Sequence, residues 1–489
     1  EVIYMKRVLA LVLALVLIFA LVGCGKKTRQ IVRVTLSTED AEAILAAAGI
    51  KLPPVETAAG ANSSVKYLSW YDGFHNYDES EIVNTGYFTF TEKYGGEVEW
   101  IETSWSTRFD DLANLVLSGD APDFYPAGTS STATYPMKCI KGMFQQVDDY
   151  INYDDPLWNG VKEIADNFSF SGKHFTIVTN TTFRDVVPYN RRVIEEWGFD
   201  DPAELYANDE WTWSKFYEMC MDFSDPDEDR FALDGQSYTN CLVQATGQNF
   251  VHRDETGRYF SNFDSPEIER AEAMLYDLTK NDCTHHEGNN YWAIRDNGTY
   301  GAGVKDGKCL FYICETSYFT GTVEEISATF GDVTAGELMF APLPRDDNGD
   351  GNYYLLTQIN GYMLCTGAKN PDGVALLTAC ERFKIVDPTV VDIDRKQLKE
   401  KYLWTDEMLA MYDTCNDIAN AHPRAIVTGD LTEGLNNIIA NCQYGPCRSA
   451  TPSTWAQFKE QNSESLEYYL EELNTMMDDY NTNGVPEQQ

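Results

Sequence analysis

The chain has 489 residues, with 77 acidic side chains against 37 basic ones, a net charge of −40 and an isoelectric point near 4.3. That balance excludes nucleic acid as a partner, because neutralising phosphates takes Lys and Arg, and it leans towards a neutral or cationic ligand. At 43% apolar and 13% aromatic, the chain can fill substantial cores, as two large lobes or about three average domains.

Met5-Lys6-Arg7 is followed by an unbroken apolar run over 8–22 and then by Gly23-Cys24-Gly25. The run is short of the ~20 residues a spanning helix needs, and the order of basic start, apolar stretch and small residues reads as a secretory signal over 1–24. A cysteine at the cut resembles the bacterial lipobox, so Cys24 is expected to carry lipid and to anchor the protein on the extracellular face of the cytoplasmic membrane. Residues 25–64 are read as a tether. Within it, Ser37-Thr38-Glu39-Asp40 before an alanine-rich stretch predicts a capped helix, closed by Gly49 and Pro53-Pro54.

The body alternates strand and helix patterns. Val65–Trp70 predicts a strand, 80–94 a helix ended by Gly95-Gly96, and Glu97–Glu102 a second strand. Apolar positions at Phe109, Leu112, Leu115 and Val116 predict a helix over 105–118 stopped by Gly119, and Asp123–Pro126 a buried strand. Such alternation implies mostly parallel sheets covered on both faces, with ligands bound beyond the carboxyl ends of the strands. Leu466, Tyr469, Leu470, Leu473, Met476 and Met477 mark an amphipathic C-terminal helix.

Several blocks, in order, carry a resemblance: VKYLSWYDG (65–73), FTEKYGGEVEWIETSW (90–105), LANLVLSGDAPDFY (112–125), FSFSGKHFTI (168–177), VVPYNRRVIEEWGF (186–199), GKCLFYICETSYF (307–319), FAPLPRD (340–346) and GYMLCTGAKNPDGVALLTACERF (361–383). Together they resemble the family 1 extracellular solute-binding proteins of carbohydrate ABC importers. The resemblance implies an α/β, two-lobed, periplasmic-binding-protein-like fold, each lobe a mostly parallel sheet flanked by helices, with crossover strands joining them. It places lobe one at 65–184 plus 358–400 and lobe two at 185–357 plus 401–480. The implied function is capture of a sugar or oligosaccharide in the cleft and delivery to ABC permease subunits by a monomer. The alternatives are a peptide or polyamine carrier, a ligand sensor, or a secreted glycan-active enzyme.

Catalytic signatures are absent: there is no G-x-S-x-G, H-E-x-x-H or G-x-G-x-x-G, and the P-loop pattern fails around Gly307-Lys308. The twelve cysteines contain no C-x-x-C, so the usual zinc and thioredoxin spacings are missing. Cys442 and Cys447 bound a loop that a disulfide would close; buried free thiols are the alternative. Asp346, Asn348, Asp350 and Gly351 match the start of a calcium loop, but Thr357 stands where a bidentate carboxylate is needed. No cofactor is therefore expected beyond a weak structural calcium.

Ten Trp, 29 Tyr and 24 Phe suit sugar faces, which present C–H groups between hydroxyl edges. Trp70, Tyr71 and Asp72 follow the first strand. Thr129, Ser130 and Tyr135 follow the strand at 123–126. Arg184 stands at the lobe crossover, and Glu315 and Tyr318 follow the apolar run 310–314. These are the expected ligand-binding residues; for each ring, a core position is the competing reading.

Overall fold

Two sheets organise the chain, and the way it passes between them determines where a ligand can sit. The computed structural model describes residues 29–483 except 59, 62, 128–134, 167–168, 171, 236–237, 255–256, 285–294, 297–298, 301–302, 423–430 and 445–450. A helix α1 (Thr38–Lys51) precedes β1 (Ser64–Ser69), α2 (Thr85–Tyr94), β2 (Glu97–Glu102), α3 (Arg108–Ser118) and β3 (Phe124–Ala127). Local chemistry sets the ends. The Asn84 side chain accepts from the amides of Gly86 and Tyr87 to start α2, and Gly95 at φ 70° stops it. Gly119 at φ 79° does the same for α3. The helix expected from residue 80 starts later because 73–84 are tied into a loop: the Asn76 side chain donates to the Ile82 carbonyl, the Tyr77 amide to Glu81, and the Asn84 side chain to the Gly73 carbonyl.

The chain then runs through β4 (Thr176–Phe183) straight into β5 (Asp185–Asn190), and on through β6 (Phe231–Gly235), α4 (Tyr238–Gln244), α5 (Pro266–Lys280), β7 (Cys309–Glu315) and β8 (Leu338–Ala341). It returns in β9 (Thr357–Leu364), followed by α6 (Pro371–Val386), α7 (Pro388–Lys401) and α8 (Asp406–Ala421). Helices α9 (Glu433–Tyr444) and α10 (Trp455–Asn483) close it.

The first sheet has the order β2-β1-β3-β9-β4 and the second β8-β5-β7-β6. Each sheet is mostly parallel, with one strand reversed. Strands β1, β2 and β3 run parallel, as do β6 and β7, but β9 is antiparallel to both β3 and β4, and β5 is antiparallel to β7 and β8. The reason is the crossing itself. The chain leaves the first sheet through β4 and re-enters through β9, so the two lie side by side in opposite directions, with Phe183 opposite Thr357. Gly361 is required in β9, since a Cβ there would meet the Ile177 carbonyl oxygen at 2.1 Å.

There is a core on each sheet. One gathers Val65, Tyr67, Phe124, Ile177, Met363 and Phe383; the other gathers Val187, Phe216, Leu233, Phe311, Phe340 and Trp404. The first also takes in Phe250 and Phe263 and, from α9 and α10, Leu435, Leu470 and Leu473, all from stretches the sequence reading placed in lobe two. The lobes are joined at 183–185, where the Arg184 amide donates to the Leu356 carbonyl at 2.9 Å, at 355–357, and between α7 and α8. Helix α8 lies across this junction: Asn420 and Asn416 accept from Thr181 and Thr182, and Thr357 donates to the Ala419 carbonyl. The stretch read as a tether is partly docked, because Ile44 and Ala48 of α1 are buried in the first core. Among the described residues no helix is long and apolar enough to cross a membrane.

Ten cysteines, including Cys309 and Cys314 on β7, are buried free thiols. Cys447, half of the expected loop disulfide, lies outside the described residues, as do His285 and His286.

Candidate functional site

Strand direction brings the candidate residues together. In the first sheet β1, β2, β3 and β4 all point the same way, so Trp70, Trp105, the end of β3 at Ala127 and Arg184 lie at one edge. In the second sheet β6 and β7 end at one edge, and β5, antiparallel to β7, begins there, with Asp185 opposite Glu315. Arg184, between β4 and β5, is therefore where the two edges meet. Gly235 ends β6 at φ 140°; a Cβ there would sit 2.2 Å from the Ile313 carbonyl oxygen, so only glycine allows this close approach.

The first lobe contributes an aromatic platform. Trp70 packs edge-on against Trp105 (4.8 Å between ring centroids) and Tyr71 (5.2 Å), and it tilts towards Tyr125. Within this cluster Trp70 is half-buried, whereas Tyr71 is 48% and Trp105 44% exposed. Rings this exposed, beside partners this buried, form a surface ready for an apolar ligand face. Arg108, at the start of α3, lies 3.8 Å over the Trp105 ring and 4.4 Å over Phe109, and burial lowers its pKa. A guanidinium stacked on an indole holds the ring in place as well as adding cation–π attraction.

Asp72 does not join this surface. Its side chain is 2% exposed, and its carboxylate accepts from the amides of Phe74 and His75, from His75 Nδ1 at 2.7 Å and from the Tyr77 hydroxyl at 2.7 Å. Burial pushes its pKa up, but the bonds from His75, Tyr77 and Phe74 outweigh this and leave it lowered. The carboxylate is spent on folding the 72–77 turn, and this corrects its expected ligand role. Tyr135 is likewise a packed residue, with its hydroxyl donating to the Ser169 carbonyl at 2.9 Å and the Arg253 guanidinium 5.8 Å from its ring. Thr129 and Ser130 lie outside the described residues.

At the meeting point of the sheets Arg184 donates from Nε to Glu315 Oε1 at 3.2 Å and lies 3.5 Å from Asp185. Its side chain is 11% exposed and that of Glu315 30%, so the pair is reachable from one side. Burial alone would lower the arginine's pKa; Asp185 and Glu315 together outweigh it and raise it. Asp185 is fully buried, and burial raises its pKa despite Arg184. Tyr318 follows β7 on the second lobe, half-buried, with its ring 6.2 Å from Tyr312.

Sequence reasoning missed Trp105 and Arg108. The signal was present: Trp105 follows β2 as Trp70 follows β1, at the same edge of the sheet.

The calcium-loop residues are committed elsewhere. Arg270 of α5 donates to Asp346 Oδ2 from Nε at 2.9 Å and from Nη2 at 2.6 Å, and the Asn348 amide takes Oδ1. Asp350 accepts from the Asn352 amide and the Tyr354 hydroxyl. Among the described residues no three His, Cys, Asp or Glu side chains converge as a metal site would need. A hollow of about 1000 Å³, lined by Leu52, Tyr150, Trp158 and Leu376, lies on the outer side of the first lobe, away from the strand ends.

Residues 88–380 match the family model for a bacterial extracellular solute-binding protein. No curated protein matches the chain. Among solved structures, a solute-binding protein of an ABC transporter from Thermotoga lettingae, bound with alpha-D-tagatose, is 16% identical over 85% of this chain and 99% of its own, with a TM-score of 0.53. The GacH receptor of Streptomyces glaucescens, solved unliganded and with acarbose, is 14% identical over 83% and 98% (TM-score 0.56). An extracellular solute-binding protein from Staphylococcus aureus in complex with maltose is 12% identical over 84% and 98% (TM-score 0.55). At these identities the likeness is one of fold.

Proposed function

The chain belongs to the bacterial extracellular solute-binding proteins, and from that premise we propose that it captures a sugar or oligosaccharide between its lobes and delivers it to an ABC permease. The observation that carries the ligand class is the exposed pair Tyr71 and Trp105, set on a buried aromatic base at the carboxyl ends of β1 and β2. Rings cover the C–H faces of a sugar, and the Arg184–Glu315 pair beneath them supplies a donor and an acceptor for hydroxyls. Tyr318 faces the ligand from the second lobe. Trp70 supports the platform from below.

Binding drives closure only in so far as the sugar contacts both lobes at once, because a ligand shifts a two-state equilibrium by its difference in affinity. The crossings at 183–185 and 355–357 are the segments about which the lobes turn. The protein acts as a monomer, needs no cofactor beyond at most a weakly held calcium, and leaves its ligand chemically unchanged. Lipid on Cys24 holds it to the outer face of the cytoplasmic membrane.

The test is a melting-temperature screen with maltose, maltotetraose and other oligosaccharides beside spermidine and short peptides, since a ligand of the folded state raises the transition. A rise with a sugar alone supports the reading. A rise with spermidine or a peptide and with no sugar refutes it, and so does a product on chromatography that scales with protein. Replacing Cys24 by Ala and fractionating cells tests the anchor: equal membrane association in both forms refutes lipidation.

A further inference from the structure

Residues 31–58 lie N-terminal to the stretch matched by the family model, yet they are built into the first lobe along their length. The Val32 amide donates to the Asn76 carbonyl at 2.8 Å. Helix α1 starts on the Ser37 cap and lays Ile44 and Ala48, both fully buried, against the first core, followed by Leu52 and Ala58. Polar contacts pin the same stretch. Lys396 of α7 meets Asp40 at 2.8 Å, Lys93 of α2 donates to the Ala48 carbonyl at 2.7 Å, Lys51 meets the buried Asp387 at 2.8 Å, and the Tyr94 hydroxyl donates to the Pro53 carbonyl at 2.7 Å. Each of these partners belongs to the first lobe or to the loop that follows β1.

We infer that residues 31–58 are a strap that fixes the N-terminal attachment to the first lobe alone, so that the first lobe is held close to the membrane and the second lobe does the moving. The membrane part rests on the lipidation of Cys24. Between Cys24 and Arg29, where the described chain begins, five residues reach at most ~18 Å. A free leash as far as residue 64 would instead average about 35 Å end to end and extend to roughly 140 Å. Docking the strap therefore sets both the height of the body and which lobe is tied.

The first experiment needs no membrane. Hydrogen exchange followed by mass spectrometry on the full chain should show amides 44–51 protected like those of α2, on the order of a hundredfold or more beyond an unstructured chain. Exchange at the unstructured rate overturns the strap. The second uses the lipidated protein in phosphatidylcholine vesicles, with a donor dye at position 79 and an acceptor in the headgroups. The wild type should transfer at least about twice as efficiently as Ile44→Asp/Ala48→Asp, whose strap is released. Equal transfer in two folded, membrane-bound proteins overturns the short reach. If the Cys24→Ala form stays equally membrane-bound, the lipid reading and the membrane part fall together, while the exchange result still decides the strap.

Discussion

Trp105→Ala should weaken sugar binding and leave the fold intact. The ring is 44% exposed, so of the ~250 Å² a tryptophan can bury about 110 Å² remains for a ligand. At about 25 cal/mol per Å² this amounts to some 2.8 kcal/mol if fully covered, and about half that if the sugar covers one face. The expected loss of affinity is therefore roughly tenfold to a hundredfold. The other ~140 Å² of the ring is buried against Trp70 and under Arg108, so stability should fall by up to about 3.5 kcal/mol with the fold kept, and affinity in the folded fraction is the deciding readout. Trp70→Ala is the contrasting variant. That ring is packed against Tyr71, Trp105 and Tyr125, and its removal should cost about 3–5 kcal/mol of stability by opening a cavity. The assay pairs urea unfolding with titration calorimetry, using whichever oligosaccharide the melting screen selects. If the folded fraction of Trp105→Ala binds with wild-type affinity, the platform is core and the argument from exposure fails.

Three further outcomes follow from named contacts. Asp72→Asn should destabilise by about 2–3 kcal/mol, because the buried network loses its charge and one of its two accepting oxygens becomes a donor; measured by urea unfolding, it should leave sugar affinity unchanged, and a selective loss of affinity would return Asp72 to the site. Asp394, bonded by Thr85 and Gln397, has its pKa raised by burial from 3.8 to about 6. The folded state thus holds that proton more tightly, and stability falls as pH rises from about 4 to 6, by about 2 kcal/mol between pH 4.5 and 7. Asp394→Asn should remove that slope, and parallel pH–stability curves for the two proteins would refute the assignment. Chelation by EDTA should move the melting temperature by less than about 1 °C, since Arg270 already neutralises Asp346; a loss of several degrees restored by calcium would show that the loop holds an ion.

Local sequence settled what depends on near neighbours. Apolar periodicity and glycine stops located α3, ended by Gly119, and the Ser37 cap located α1; the ordered blocks pointed to two lobes and to a solute-binding family, which the match over 88–380 bears out. These features are legible because a helix or strand is specified by residues within a few positions of one another. Tertiary structure decided how those pieces are used. Trp70, Tyr71 and Asp72 are consecutive, yet Tyr71 leaves half its surface exposed while its hydroxyl reaches the buried Tyr67, Trp70 packs against its ring, and Asp72 is buried under His75 and Tyr77. Trp105 is assigned to the platform by the parallel register of β1 and β2, which no local pattern states. Asp346, which the sequence placed at the start of a possible calcium loop, is bonded by Arg270, 76 positions away. The stretch read as a tether became part of a lobe because Ile44 and Ala48 meet a core built from strands and helices that follow them in the chain. Burial is a property of the assembled surface, and each of these residues took the role its distant partners gave it.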